Sequence, residues 1–208
     1  DLVTAHMPNT RDPFAAPYPW YVLMELSGGS DADLQGPAER MLAGAMEDGI
    51  VLDAVIAASS DQRDALWRLR EMLPHAQNKA GASMKHDISL PVALVPRFVA
   101  GTLPELERMV PGCRPLPYGH AGDGNLHFNI SQPVGMDPGA FMESWPAVSA
   151  LVYERVLALG GSVSAEHGIG QMKRDLLAAT KDPVARGLMR RFKAALDPDG
   201  ILNPGKVL

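Results

Sequence analysis

Several short stretches of the chain alternate between apolar and polar residues, a period of two that is typical of half-buried β-strands. The clearest is 125–131, where Leu126, Phe128 and Ile130 occupy one face and polar side chains occupy the other. Other stretches rich in β-branched or aromatic residues predict further strands. These strands are predicted at 20–27, 50–57, 87–90, 113–120 and 162–164.

Apolar residues recur every three or four positions elsewhere, and this spacing predicts amphipathic helices. In the segment 34–47 the pattern ends near Gly49, and glycine commonly follows a helix. Ser59 is suited to cap a second helix, which is expected to run to Met72 and end before Pro74. A long helix is predicted at 138–159 and two shorter ones near 171–179 and 183–196, while 95–109 is expected to be partly helical.

Proline and glycine divide the rest of the chain into linkers and turns. Residues 1–19 are rich in proline and predict an extended arm with a short helix at its start. A turn is predicted at 28–31, and Asp123-Gly124 indicates a tight hairpin. The pattern predicts an α+β fold, an antiparallel sheet with helices packed on one face. Neither GxGxxG nor GxxxxGK[ST] follows a predicted strand, which excludes both nucleotide-binding motifs from this chain.

Composition narrows the class of protein. Of 208 residues, 46% are hydrophobic and 21% charged, which excludes a mainly disordered chain. The net charge of −5, without a basic run, argues against a nucleic-acid-binding surface. No apolar stretch approaches the roughly 20 residues of a membrane span. Cys113 is the only cysteine, so we expect a reducing compartment, the cytoplasm, with peripheral membrane association left open.

The segment 118–130 concentrates groups that could bind a ligand. The polar face of its second half carries Asn125, His127 and Asn129, without the Lys, Glu or Thr common on solvated strands. A tight hairpin would bring His120, on the preceding arm, towards His127. The alternative is a hairpin with histidines that are merely at the surface.

Glu166 and His167 are adjacent in a turn rich in Gly and Ser. Neighbours in an extended segment point apart, so the two residues are expected to have different roles. One carboxylate and two imidazoles suit Zn²⁺ or a similar divalent ion, with a position left for substrate. His167 could then act as a general base. The alternative is a helix N-terminal turn with Glu166 near the helix dipole.

Cationic and amide side chains elsewhere could bind a small anion. Arg70 ends a predicted helix, and Lys85 and His86 precede a short strand, His86 being a second candidate base. Arginine binds a carboxylate in bidentate form, whereas lysine acts as a point charge. In the tail, Asn203 and Lys206 are best suited to polar ligand contact. The alternatives are solvated helix ends and a packed C-terminus.

Three motifs together resemble the C-terminal domain of FAD-linked 2-hydroxyacid dehydrogenases. This family includes D-lactate dehydrogenases, the glycolate oxidase flavin subunit and D-2-hydroxyglutarate dehydrogenase. The motifs are HAGDGNLHFNI, SAEHGIG and LDPDGILNPGK, in this order along the chain. The resemblance covers roughly Trp20 to Leu208 and implies ferredoxin-like α+β halves followed by a helical C-terminal part. It also implies an upstream FAD-binding domain, to which residues 1–19 would be the linker.

The resemblance implies roles for the residues of the first two motifs. In metal-dependent members they supply the metal site, which assigns His120, His127 and Glu166 as ligands of a divalent ion, with Zn²⁺ the first expectation. Asn129 lies nearby in the motif and is assigned to substrate binding. His167 matches the family's general base.

The resemblance also implies contacts for substrate and cofactor. Arg70 and Lys85 match the family's partners of the substrate carboxylate, and Asn203 and Lys206 match a tail that approaches the flavin. Relatives specific for a long dicarboxylate carry a Thr about one helical turn after the arginine. Here that place is Pro74, which has no hydroxyl group. This difference argues against D-2-hydroxyglutarate as the substrate.

These implications predict a fragment of a flavin-dependent D-2-hydroxyacid dehydrogenase, which oxidises a 2-hydroxy acid to a 2-oxo acid by hydride transfer to FAD. The expected partners are the substrate, the N-terminal FAD-binding domain of the same polypeptide and an electron acceptor, with a homodimer left open. The chain begins with Asp1 and shows no signal peptide, so we expect a piece of a longer protein that is inactive alone. The alternative is a free-standing, non-redox module that binds a metal or a small carboxylate.

Overall fold

The computed structural model describes residues 1–29 and 32–208 and divides the chain into two compact units, Asp1–Ala82 and Ser83–Leu208. The division predicted from the resemblance, an arm at 1–19 and a domain at 20–208, stays a prediction. Among the described residues, no helix is both long enough and apolar enough to span a membrane.

Helices form the regular structure of the first unit. They are α1 (Leu2–His6), α2 (Gln35–Glu47), α3 (Ser60–Glu71) and α4 (Leu73–Lys79). The Ser59 side chain accepts a hydrogen bond from the main-chain N–H of Gln62 (3.3 Å), so the cap predicted for α3 is confirmed. Pro74 lies in the first turn of α4, where its missing N–H is not needed. A new helix, which the sequence did not predict, therefore begins where α3 ends.

The strands predicted at 20–27 and 50–57 are wrong, because both segments form neither strand nor helix. Several of their apolar side chains are exposed, Val22 by 86% and Ile50 by 77%. Strand-forming residues stabilise a strand only where cross-strand neighbours and a packed face are available. The turn predicted at 28–31 includes Ser30 and Asp31, which lie outside the described residues.

An antiparallel sheet forms the centre of the second unit. Its strands are β1 (Ser83–Met84), β2 (Asp87–Ser89), β3 (Arg114–His120) and β4 (Asn125–Ser131). β4 is central, because β3 pairs along its whole length while β1 and β2 pair with it on the other edge. The predicted α+β fold with an antiparallel sheet is confirmed, and its finer description as ferredoxin-like halves stays a prediction.

Helices of the second unit agree with the sequence pattern in part. They are α5 (Val95–Met109), α6 (Pro138–Glu143), α7 (Trp145–Ala158), α8 (Arg174–Thr180) and α9 (Pro183–Leu196), with a 3-10 turn at Val92–Leu94. The single helix predicted at 138–159 is two helices, because Pro146 cannot donate the hydrogen bond that would continue the first one. The strand predicted at 162–164 is reduced to one isolated bridge between Ser162 and Ser89.

The apolar face of the sheet packs against helices, as predicted. Leu126, Phe128 and Ile130 of β4 are all buried. The ring of Phe128 makes an edge-to-face contact with Phe98 of α5 at a centroid distance of 5.0 Å, and α5 packs against α7. The polar face of β4 therefore points away from this helical layer.

His86 follows β1 and precedes β2, and it is 1% exposed. Its Nδ1 lies 3.0 Å from the main-chain oxygen of Phe128, and its Nε2 lies 2.9 Å from Ser149 Oγ on α7. Burial is the largest cause that lowers the pKa of His86, to about 4. This neutral ring faces the helices, so the choice of His86 as a second candidate base is wrong.

His86 should make the protein less stable in acid. An unfolded histidine titrates near pH 6.5 and folded His86 near 4, so between these values only the unfolded chain binds the proton. The free energy of unfolding should fall by about 3 kcal/mol as the pH drops through this window. Urea unfolding of the wild type and of His86→Gln at several pH values measures this loss. The variant should lack this loss of stability in acid. If the free energy of unfolding fell equally with pH in both proteins, the lowered pKa of His86 would be contradicted.

Candidate metal and substrate site

A polar row crosses the open face of the sheet in the second unit. His127 on β4 lies directly opposite Asp87 on β2 and opposite Tyr118 on β3. Directly paired residues of antiparallel strands carry their side chains on the same face. His120 is paired with Asn125, two positions before His127, and therefore belongs to the same face.

The turn between β3 and β4 requires glycine at one position. Gly124 has a φ of +73°, a region that favours glycine, and a Cβ there would lie 1.9 Å from the main-chain oxygen of Leu90. The side chain of Asp123 accepts a hydrogen bond from the main-chain N–H of Asn125 (2.9 Å). The predicted hairpin is therefore confirmed, and its tight turn keeps His120 beside the start of β4.

Gly124→Ala should destabilise the second unit, whereas Gly122→Ala should not. The left-handed backbone at Gly124 alone costs an alanine about 1–2 kcal/mol, and the contact with Leu90 adds to this. At Gly122 a Cβ would meet no atom within 4 Å, so the expected change is within about 0.5 kcal/mol. Chemical denaturation of both variants measures the difference, and equal midpoints would show that the turn tolerates a side chain.

The loop at 162–170 brings Glu166 between the two histidines of the hairpin. Glu166 Oε1 lies 3.3 Å from His120 Nδ1, and Oε2 lies 3.7 Å from His127 Nε2. The two imidazole rings are nearly perpendicular, with centroids 6.0 Å apart. The structure therefore brings the three sequence-predicted ligands together, and their role as metal ligands stays a prediction.

His167, the predicted base, lies on the other side of His127. The two rings are stacked with centroids 5.7 Å apart and an interplanar angle of 22°. His167 Nδ1 lies 4.0 Å from Asp87 Oδ2, and the side chain of His167 is 67% exposed. The ring is therefore accessible from solvent while one of its nitrogens faces a carboxylate.

One set of four residues offers ligand atoms that all lie within 4.8 Å of one another: Asp87, His127, Glu166 and His167. This set shares His127 and Glu166 with the sequence prediction. It includes the predicted base and leaves out His120. Imidazole and carboxylate ligands in such a cluster suit Zn²⁺ or a similar divalent ion. The geometry therefore fits a metal, and it leaves His167 with two candidate roles.

Sequence reasoning missed Asp87, which is 4% exposed. Its Oδ2 accepts hydrogen bonds from the main-chain N–H groups of Ala165 (3.0 Å), Glu166 (3.0 Å) and His167 (2.8 Å). Burial alone would raise the pKa of Asp87, but these hydrogen bonds outweigh burial and hold the pKa below its ordinary value. The signal available in the sequence was an acidic residue at the start of the short strand predicted at 87–90.

Lys173 also ties the loop to the sheet. Its Nζ donates to the main-chain oxygen of Val163 (2.6 Å) and lies 3.4 Å from the main-chain oxygen of Asp87. Burial lowers the pKa of Lys173, and the charge of Asp87 opposes this shift. The loop that carries Glu166 is therefore held by a second group that the sequence did not indicate.

The residues predicted to bind substrate lie outside the four-residue cluster. Asn129 is buried on the polar face of β4, and its Nδ2 lies 3.4 Å from Tyr118 Oη. Lys85 is exposed in the link between β1 and β2. Arg70 lies in the last turn of α3, in the first unit. Their roles in substrate binding stay predictions.

The C-terminal tail is a closely hydrogen-bonded turn. The carboxylate of Asp197 accepts hydrogen bonds from the main-chain N–H groups of Ile201 (2.9 Å) and Leu202 (3.0 Å). Asn203 has a φ of +45°, and Lys206 Nζ donates to the main-chain oxygen of Pro204 (3.3 Å). The predicted contacts of Asn203 and Lys206 with a flavin stay predictions.

The fold and the site define an α+β domain with a candidate metal centre on the open face of its sheet. The chain belongs to the family described as FAD linked oxidases, C-terminal domain, which matches residues 1–207. The family predicted from the three motifs is therefore confirmed.

Three relatives of the chain are named as D-2-hydroxyglutarate dehydrogenases. The mitochondrial enzyme of Arabidopsis thaliana is 38% identical over 100% of this chain and 36% of its own length. The enzyme of Stutzerimonas stutzeri (strain A1501) is 39% identical, over 94% of this chain and 42% of its own length. The mitochondrial enzyme of Bos taurus is 40% identical, over 91% of this chain and 34% of its own length. The chain thus spans well under half of each relative.

Proposed function

We propose that this chain is the substrate- and metal-binding part of a flavin-dependent D-2-hydroxyacid dehydrogenase, which oxidises a 2-hydroxy acid to the 2-oxo acid. The observation that carries the proposal is the position of Glu166 between His120 and His127. Membership in a family of FAD-linked oxidases and the names of the relatives support it.

A divalent ion, with Zn²⁺ the first expectation, would be held by His120, His127 and Glu166. When bound, such an ion supplies a Lewis acid that makes a coordinated hydroxyl group more acidic. The chain fits this role because nitrogen and oxygen ligands meet on one open face of the sheet, beside the buried carboxylate of Asp87. Glu166 is 44% exposed in its side chain, which leaves room for a substrate to approach.

His167 would take the proton of the substrate hydroxyl group. The carboxylate of Asp87, 4.0 Å from His167 Nδ1, would stabilise the imidazolium that forms. FAD supplies the acceptor for the hydride that leaves the substrate Cα, so the substrate loses one proton and one hydride in total. FAD would be held mainly by an N-terminal domain of the same polypeptide, with Asn203 and Lys206 as contacts from this chain.

Arg70, Lys85 and Asn129 would bind the substrate's polar groups, Arg70 through a bidentate pair with the carboxylate. The relatives' names favour D-2-hydroxyglutarate, whereas Pro74 argues for a shorter acid. Both D-2-hydroxyglutarate and a shorter 2-hydroxy acid such as D-lactate should therefore be assayed as substrates.

The visible spectrum of the full-length gene product tests the proposal. Flavin bands that bleach on anaerobic addition of D-lactate or D-2-hydroxyglutarate would support it. A product without flavin bands would support the alternative, a non-redox module that binds a metal or a small carboxylate. The chain by itself should give no turnover with a dye acceptor, and turnover without added flavoprotein would contradict that expectation.

A further inference from the structure

The main chain of the loop that carries Glu166 and His167 is anchored at one oxygen. Three consecutive N–H groups, those of Ala165, Glu166 and His167, converge on Asp87 Oδ2 at 2.8–3.0 Å. Successive N–H groups that point at one site together form a strong hydrogen-bond donor site, which binds an anion such as a carboxylate oxygen. The hydroxyl group of Ser164 also lies 3.4 Å from this oxygen. Asp87 thus sets the position of two adjacent residues with different proposed roles.

The second oxygen of Asp87 faces a different element of the site. Oδ1 is buried and has no hydrogen-bond partner among the described residues, and it lies 3.8 Å from His127 Nδ1. The other nitrogen of the same ring, Nε2, is directed to Glu166, 3.7 Å from Oε2. His127 thus lies between two carboxylates, that of Asp87 on the side of Nδ1 and that of Glu166 on the side of Nε2.

Asp87 could itself be considered a ligand, because it belongs to the cluster within 4.8 Å. Its contacts argue against this role. Oδ2 already accepts three main-chain hydrogen bonds, more than its two lone pairs ideally satisfy. Oδ1 is directed to His127 from a strand that is 4% exposed at this residue. The carboxylate therefore lies behind the ligands.

We propose that Asp87 is the positioning residue of this site. One oxygen holds the loop that presents Glu166 and His167, and the other lies beside His127 Nδ1, while Nε2 of that ring is directed to Glu166. The inference rests on the proposed function only for the identity of the bound ion, because the contacts of both Asp87 oxygens are made within the chain.

Asp87→Asn is the sharpest substitution, because it keeps the shape of the side chain and changes its hydrogen bonding. If the amide oxygen replaces Oδ2, the amide NH₂ group replaces Oδ1 and faces His127 Nδ1 as a donor. The neutral oxygen should then hold the three loop N–H groups more weakly than the carboxylate does.

NMR of the ¹⁵N-labelled, metal-free chain reads this effect as hydrogen exchange of the main-chain amides. The amides of residues 165–167 should exchange about 10-fold faster in the variant. Asp175→Asn, at a carboxylate that is 94% exposed on α8, is the matched control and should leave this exchange unchanged.

Zinc titration of the same samples gives a second readout. We expect Asp87→Asn to weaken Zn²⁺ binding by about 10–100-fold, the usual effect of losing a group that orients a metal ligand. Wild-type amides at residues 165–167 that exchange as fast as unprotected amides would overturn the inference even if the variant does not fold. Unchanged exchange at these residues in a folded variant would also overturn it. A wild type that binds no Zn²⁺ but protects these three amides would contradict the proposed function alone.

Discussion

His167→Ala should lower kcat by roughly 10²–10⁴-fold in the flavin-containing protein, the usual effect of removing a general base. The reason is that His167 offers an accessible imidazole, with the carboxylate of Asp87 4.0 Å from its Nδ1. Arg70→Lys should mainly raise KM, because a point charge replaces a bidentate fork. Steady-state assays with a dye acceptor, at saturating and limiting 2-hydroxy acid, separate the two effects.

The zinc affinity of His167→Ala decides between the two roles that the geometry allows for this residue. A base should leave Zn²⁺ binding unchanged, whereas a ligand of the four-residue cluster should weaken it along with kcat. If Arg70→Lys leaves KM unchanged and His167→Ala leaves kcat unchanged, both assigned roles are wrong. The proposed metal site would survive that result, and the proposed proton transfer would not.

Glu166→Gln should weaken Zn²⁺ binding by on the order of 100-fold. The free energy of Zn²⁺ binding at four-ligand sites in small domains is about 10–16 kcal/mol, or about 3 kcal/mol for each ligand. A loss of about 3 kcal/mol corresponds to an affinity on the order of 100-fold weaker. Gln keeps the size of the side chain but removes the charge that lies between His120 and His127. Competition with a chromophoric chelator measures the affinity of each variant.

Glu143→Gln is the matched control for this experiment, since Glu143 is exposed at the end of α6. It should bind Zn²⁺ like the wild type. Equal affinities of Glu166→Gln and Glu143→Gln would remove Glu166 from the ligand set. The metal would then have to be held by the histidines and Asp87, and the proposed role of Asp87 would also need revision.

Local signals in the sequence predicted much of the second unit. The alternation in 125–131 predicted β4, and the Asp123-Gly124 pair predicted its hairpin with β3. The helix at 183–196 was predicted with its observed bounds. These features depend on residues close together in the chain, so their physical causes can be recognised from the sequence alone.

The same signals failed where a distant partner was required. The segments 20–27 and 50–57 have strand-forming composition, yet neither forms a strand. A strand needs main-chain hydrogen bonds and a packed face from another segment, and composition does not report whether these exist. The helix predicted at 138–159 failed for a local reason instead, because Pro146 lies in the first turn of a new helix that begins at Trp145.

For the site, the sequence by itself predicted which residues would carry the chemistry, because His120, His127, Glu166 and His167 belong to motifs that resemble those of a known family. Only the tertiary structure decided how they are held. The register of β2 against β4 places Asp87 opposite His127, and the same carboxylate binds the loop of Glu166. Strand register and loop docking depend on packing between distant segments, which no local pattern encodes.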